Sequence, residues 1–215
     1  MLEFRQVEKR FDDRLIVSIP DQTLDSGIYW LQGANGTGKT TLLRMIAGIL
    51  PFRGDILLQG CSQRNNPVDY RRIVGWADAE PLYPGFLTGD DLLNFYGGIL
   101  RPEPRQIAGL TQHFGVRGWL NTRVATWSSG MTKKFALLLA FLGRPALVTL
   151  DEPLITLDEP GLTGLTALIR EYHREYGTGF LLSSHQPVPA EAFPAVRPLT
   201  FEDHSIKVEM NVVLN

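Results

Sequence analysis

Gly33-Ala34-Asn35-Gly36-Thr37-Gly38-Lys39-Thr40 fits the spacing G-x-x-x-x-G-K-[ST], a loop that cradles phosphate. Ile28-Tyr29-Trp30-Leu31 before it is apolar and β-prone, and Lys39 to Ala47 after it has a helical pattern stopped by Gly48. A strand before such a loop and a helix after it are the context the motif requires. The glycines Gly33, Gly36 and Gly38 let the backbone turn tightly and aim successive N–H groups, Asn35 among them, at an anion. The helix N-terminus adds unpaired donors and the positive end of its dipole. Lys39 can reach the β- and γ-phosphates, and the Thr40 hydroxyl can ligate Mg²⁺. The loop therefore specifies a nucleoside triphosphate without specifying its use.

The rest of the composition narrows the class. The chain has 215 residues, 44% of them hydrophobic, which suits one domain with a true core. Its net charge of −2 and pI near 6.1 argue against nucleic acid as a partner, since that needs a basic footprint. The lone Cys61 excludes an internal disulfide and fits a reducing compartment. The start Met-Leu-Glu-Phe-Arg is charged too early for a secretory leader. No stretch approaches the ~20 apolar residues of a membrane span, so a membrane role requires a partner.

Along the chain, residues 2–7 and 14–19 are expected as strands around a polar turn at Lys9–Asp13, which holds Phe11. That aromatic can pack in the turn or stack on a base. Strands are expected at 55–59 and 72–76, with a polar loop at 61–69 between them. Pro81, Pro84 and Gly85 then punctuate an irregular link. Thr88 followed by Asp91 marks a helix start, and a second helix is expected over about 104–114. Met131–Leu142 is a strong apolar helix behind Ser128-Ser129-Gly130. Residues 88–145 are thus expected as a helical insert in an α/β core formed by 1–80 and 146–215. Ala146–Leu150 and Gly179–Ser184 are continuous apolar strands of the buried, parallel type. A helix at 160–176 lies between them, and a small hairpin closes the chain.

Asp151-Glu152 ends the first of these strands. Asp151 can hold Mg²⁺ through oxygen ligands and water, while Glu152 can face an attacking water as general base. His185 ends the next strand, at the same sheet edge, where an imidazole can bond a γ-phosphate oxygen. Ser128 and Gly130 cap a helix and can also hold an anion. They stand far in sequence from the phosphate loop, so that anion can belong to another chain.

Together, in this order, these motifs resemble the ATP-binding subunits of ABC (ATP-binding cassette) transporters, and the resemblance covers essentially the whole chain. It is similar in size to compact members such as the haem-exporter ATP-binding subunit. The resemblance implies a P-loop NTPase α/β fold: a mixed sheet, an N-terminal antiparallel β part and a helical subdomain. It assigns Gly33 to Thr41 to the ATP phosphates and Mg²⁺, and Phe11 to stacking on adenine. It makes Trp127-Ser128-Ser129-Gly130-Met131 the signature, Glu152 the catalytic base, Asp158 part of the D-loop and His185 the switch histidine. It further implies that two copies pair head to tail around two ATPs, each held between one copy's loop and the other's Ser128–Gly130. That motion would drive an integral-membrane subunit docked near 81–96, with this chain cytoplasmic at the inner face of the membrane.

The chain departs from the family pattern in two places. Trp127, Ser129 and Met131 replace three of the five residues of the usual Leu-Ser-Gly-Gly-Gln signature. The Q-loop glutamine falls on Ala79 or Glu80; Glu80 can supply an oxygen to Mg²⁺ and Ala79 cannot. The competing readings are a soluble ABC ATPase in a cofactor-assembly complex and a small-molecule kinase. The kinase would need an arginine-rich lid, but Arg101, Arg105, Arg117 and Arg123 are scattered.

Overall fold

The computed structural model describes residues 1–154, 157, 159–184 and 196–208. Two sheets enclose the helix that follows the phosphate loop. The first is antiparallel: β1 (Leu2–Phe11), β2 (Arg14–Ile19), β3 (Gln22–Leu24), β5 (Arg53–Leu58) and β6 (Cys61–Ser62), in the order β2-β1-β5-β6 with β3 also on β1. The second has the order β11-β10-β4-β9-β8-β7. It comprises β4 (Ile28–Gln32), β7 (Val74–Ala77), β8 (Leu147–Asp151), β9 (Gly179–Ser183), β10 (Val196–Glu202) and β11 (Ser205–Val208). All its pairings are parallel except the closing hairpin β10–β11. The mixed sheet and the N-terminal antiparallel part match the expected fold.

The continuous apolar strands are explained by burial on both faces. Tyr29, Leu31, Leu147 and Leu181 point to one side, where they meet Leu42, Leu43, Met45 and Ile46 of α1 (Lys39–Ile46) and the inner face of the antiparallel sheet. Ile28, Val148, Leu150, Phe180 and Leu182 point to the other, against α5 (Ser129–Phe141) and α6 (Glu159–Tyr176). Adjacent strand residues alternate faces, so a strand covered on both sides has no polar positions to spare. α3 (Gly89–Leu100) and α4 (Pro104–His113) complete this second layer with Leu92, Leu93 and Leu110. Gly75 lets α5 cross β7 closely: a Cβ there would collide with the carbonyl of Ala140.

Several expectations are corrected. Phe11 is the last residue of β1, which runs on because the turn is only Asp12–Asp13, with Asp12 left-handed at φ 51°. Phe11 pairs with Arg14 across it. The polar stretch 61–69 contains β6 and the start of α2 (Pro67–Arg72), so the strand expected from Arg72 begins only at Val74. Pro67 at the first helical turn is the start signal, since its missing N–H costs nothing there. The helix start at Thr88 is as expected: its hydroxyl accepts from Asp91 N at 3.1 Å and the Asp91 carboxylate accepts from Thr88 N at 2.9 Å.

Candidate functional site

The phosphate loop lies at the C-terminal end of β4, between it and α1. Gly36 and Gly38 have φ of 73° and 123°, conformations that L side chains rarely adopt. At Gly33 a Cβ would lie 2.7 Å from the carbonyl oxygen of Phe201. Thr37 Oγ1 donates to the Ala34 carbonyl at 2.9 Å and braces the loop from inside. The first intrahelical bond of α1 is Leu42 N to Gly38 O, which leaves the amides of Lys39, Thr40 and Thr41 without helical acceptors. Those amides and the dipole end of α1 make an anion site.

Lys39 is buried, and its ammonium donates to the carbonyls of Gly33 at 2.6 Å and Ala34 at 3.0 Å. Burial pulls its pKa down, opposed by the attraction of Glu152 and Asp151. That opposition places both carboxylates within electrostatic reach of the loop lysine.

Asp151 ends β8 beside Ser183, the last residue of β9, and the two are register partners. Ser183 Oγ donates to Asp151 Oδ1 at 2.5 Å and accepts from Glu152 N at 3.2 Å. Asp151 Oδ2 is buried and has no hydrogen-bond partner among the described residues. A buried carboxylate oxygen without a donor is unfavourable unless a cation or its water completes it. The donor set therefore fits Mg²⁺, which takes one or two protein oxygens and fills the rest with phosphate and water. Among the described residues there is no cluster of three or more His, Cys, Asp or Glu that would hold a different kind of metal. Glu152 is buried and left-handed, at φ 46°, a conformation uncommon for a non-glycine residue and frequent at active sites.

These parts face a single cleft, lined by Phe11, Arg14, Ile16, Gly36, Gly38, Lys39, Thr40, Thr41, Asp151 and Glu152. Phe11 is 47% exposed on its rim, with the Lys9 ammonium 4.9 Å from its ring centre. An aromatic that exposed is not serving the core, and it is free to stack on a base.

Other expected residues lie elsewhere. Gly33 and Asn35 belong to the loop but are not among the residues lining the cleft. Glu80 is exposed and is also outside it. Ser128 and Ser129 are exposed at the N-terminus of α5, where Ser128 Oγ accepts from Met131 N at 3.2 Å, and neither they nor Gly130 touch the cleft. His185 and Asp158 lie outside the described residues. Trp127 packs against Trp119 at 4.7 Å and Phe135 at 5.1 Å between ring centres, and its indole N–H donates to Thr122 Oγ1 at 2.9 Å. A large aromatic is accommodated at this first position of the expected signature because Trp119 and Phe135 stand there to receive it.

The structure adds residues that the motifs did not mark. Ser183 orients both acids. Arg14 enters the cleft as the hairpin partner of Phe11. Arg44 of α1 forms a bidentate pair with Asp78, at 2.9 and 3.2 Å from one guanidinium nitrogen. Ser183 carried a weak signal, a hydroxyl at the end of an apolar strand; Arg14 and Arg44 carried none.

Comparison with known proteins agrees with this geometry. Residues 23–155 match the family model described as ABC transporter. The chain is 34% identical over 198 residues to the cytochrome c biogenesis ATP-binding export protein CcmA 2 of Salmonella paratyphi A, covering 89% of this chain and 93% of that one. It is 32% identical over 197 residues to the ABC transporter ATP-binding protein NatA of Bacillus subtilis, covering 86% of this chain and 79% of the other. A solved structure of an ATP-binding subunit of an ABC transporter superposes with a TM-score of 0.86 at 25% identity, covering 96% of this chain and 88% of that one.

Proposed function

The chain belongs to the ABC transporter family as an ATP-binding, ATP-hydrolysing subunit that uses Mg²⁺, and we propose a role for each part of its cleft on that premise. Phe11 stacks on the adenine. The loop amides from Gly33 to Thr41 and the Lys39 ammonium hold the phosphates. Thr40 and Asp151 are the protein ligands of Mg²⁺, which neutralises phosphate charge when bound. Glu152 takes the proton of the attacking water. The observation that carries this reading is the orphaned Asp151 Oδ2, buried at the edge of a cleft whose other wall is a phosphate loop. Glu80, exposed and outside the cleft, has less support as a Mg²⁺ ligand than Asp151.

The segment Ser128–Gly130, with both serines exposed, completes the cleft of a second copy in a head-to-tail pair, and His185 and Asp158 serve that closed state. The exposed position of this signature, away from its own cleft, supports that arrangement. Among the described residues no helix is long and apolar enough to cross a membrane, so a separate subunit would provide the pathway. That subunit docks near 81–96, at the inner face of the membrane. Leu82 is 93% exposed, Phe86 75% and Phe95 63%, an apolar surface that a partner would cover. The similarity to CcmA favours an export-type complex.

The test is Glu152→Gln, which removes the base and leaves the phosphate contacts in place. Light scattering after size exclusion is expected to show the mass doubling with ATP and Mg²⁺. A monomer that binds ATP and stays monomeric would refute the symmetric pair. Co-purification of the native chain with a soluble assembly in place of a membrane protein would favour a cofactor-assembly role.

A further inference from the structure

Lys133 is a buried charge that the nucleotide chemistry leaves unused. It lies in the second turn of α5, four residues ahead of Leu137, and is 2% exposed. Its ammonium donates to three backbone carbonyls: Asp78 at 2.9 Å, Asp151 at 3.0 Å and Ala79 at 3.3 Å. A lysine has three donors and no acceptor, so this cradle satisfies it completely. Burial still pushes its pKa down to about 8, against the attraction of Asp151, Asp78 and Glu152. An apolar side chain at such a position would avoid that cost. What only the cation provides is the bridge.

The bridge spans two functional segments. Asp151 is the acid-bearing end of β8, while Asp78 and Ala79 follow directly on β7, the neighbouring strand, and begin the link that leads to Leu82 and Phe86. Asp78 is also gripped by Arg44 of the helix that carries the phosphate loop. At Ala79, the side chain has no polar group, so only the backbone can carry a contact, and Lys133 takes its carbonyl.

We propose that Lys133 is a positioning residue for ATP hydrolysis, clamping the start of the 79–87 link to the end of β8 so that movement of the link is passed to Asp151 and Glu152. This rests on the ATPase reading given above.

The test compares the full chain with Lys133→Met, which removes every donor, and Lys133→Gln, which keeps amide donors without charge. Nucleotide sites are titrated with a fluorescent ATP analogue, turnover is expressed per titrated site, and amide hydrogen exchange is followed without nucleotide. Lys133→Met is expected to lower turnover per site by about tenfold or more, as loss of groups that orient a metal ligand typically does. Nucleotide affinity should stay within about twofold, since no phosphate contact is removed. Exchange should quicken in 79–87 and not in 33–41. Lys133→Gln should lose only about threefold, the scale of a neutral bond replacing a charged one. Where the methionine variant does not fold, the glutamine variant decides by the same pair of readouts. Unchanged turnover per site with unchanged link exchange would overturn the clamp. So would turnover and site number falling together with exchange quickened throughout, the pattern of a purely structural lysine. A wild-type chain that does not hydrolyse ATP would refute the ATPase reading, and the exchange comparison, made without nucleotide, would then decide the clamp alone.

Discussion

Ser183→Ala isolates the hydroxyl that holds the acid end of β8. Both Ser183 and Asp151 are buried, so neither group can exchange this bond for bulk water. The mutation removes the 2.5 Å bond to Asp151 Oδ1 and the acceptor 3.2 Å from Glu152 N. A hydrogen bond to a charged group contributes about 1.5–3 kcal/mol, and a neutral one about 1 kcal/mol. Alanine recovers a fraction of this by burying a methyl, so a net loss of about 3 kcal/mol is expected. For a domain of this size that is roughly 6–12 °C in Tm. The catalytic consequence is separate. Without Ser183 the buried Asp151 carboxylate has no side-chain donor on either oxygen among the described residues. Its orientation is then unsupported, and the Mg²⁺ concentration for half-maximal ATPase activity should rise about tenfold. Urea unfolding without nucleotide gives the first number, and a Mg²⁺ titration of ATPase activity gives the second. A stability change below about 0.5 kcal/mol, the range of ordinary surface substitutions, together with an unmoved Mg²⁺ dependence, would refute the argument that Ser183 orients this site.

Two further outcomes are expected. Gly33→Ala should destabilise the chain by about 1–3 kcal/mol and abolish ATP binding, because its Cβ meets the Phe201 carbonyl oxygen at 2.7 Å. Gly36→Ala, with open space around its Cβ, should bear only the strain of φ 73°, so equal losses from the two in urea unfolding would contradict the clash. The Asp91 carboxyl is held below its ordinary value of 3.8 by the backbone N–H of Thr88 first and the Thr88 hydroxyl second. Its contribution to stability is therefore full above pH 3.8 and is lost as pH falls through the lowered value. Thr88→Val removes the hydroxyl's bond to the carboxylate, and with it the acceptor for Asp91 N, but leaves the Thr88 N–H in place; the carboxyl titration, followed by NMR, should move part of the way up, and an unmoved midpoint would dismiss the hydroxyl's share.

The parts of the site legible in the sequence are those whose chemistry is local. Gly33, Gly36, Gly38 and Lys39 stand at fixed offsets because one turn of backbone has to wrap an anion and feed a helix. Asp151 and Glu152 were visible because acids ending an apolar strand have few structural reasons to be there. Ser183 and Lys133 act across elements far apart in the chain, and neither has a sequence neighbour that reveals its partner. Ser183 meets Asp151 only because β8 and β9 pair in parallel with those residues in register. Phe11 was ambiguous for a related reason. The difference between a packed and a stacking aromatic lies in a two-residue turn that extends β1 and delivers the ring to the cleft rim. Pro67 is a local signal, masked by the polar residues around it.

The packing of α5 bears on how two copies would communicate. Its N-terminal turn carries Ser128 and Gly130, the residues proposed above to meet a partner's nucleotide, while Lys133 on the same helix grips Asp151 of its own cleft. Lys133 follows Ser128 by five positions, a rise of roughly 7.5 Å. Beyond Lys133 the helix is buried from Phe135 to its end at Phe141, so it cannot bend or slide without disturbing the second core layer. A displacement of the cap on contact with a second copy therefore reaches the carbonyl of Asp151 through one rigid turn and a half. Asp78, gripped by Arg44 and bonded to the same ammonium through its carbonyl, meets that displacement from the side of the phosphate loop. In the head-to-tail pair proposed above, the lysine that grips each copy's own Asp151 and the contact offered to the partner thus stand on a single element. Closure of one cleft is then expected to press on the other through Lys133.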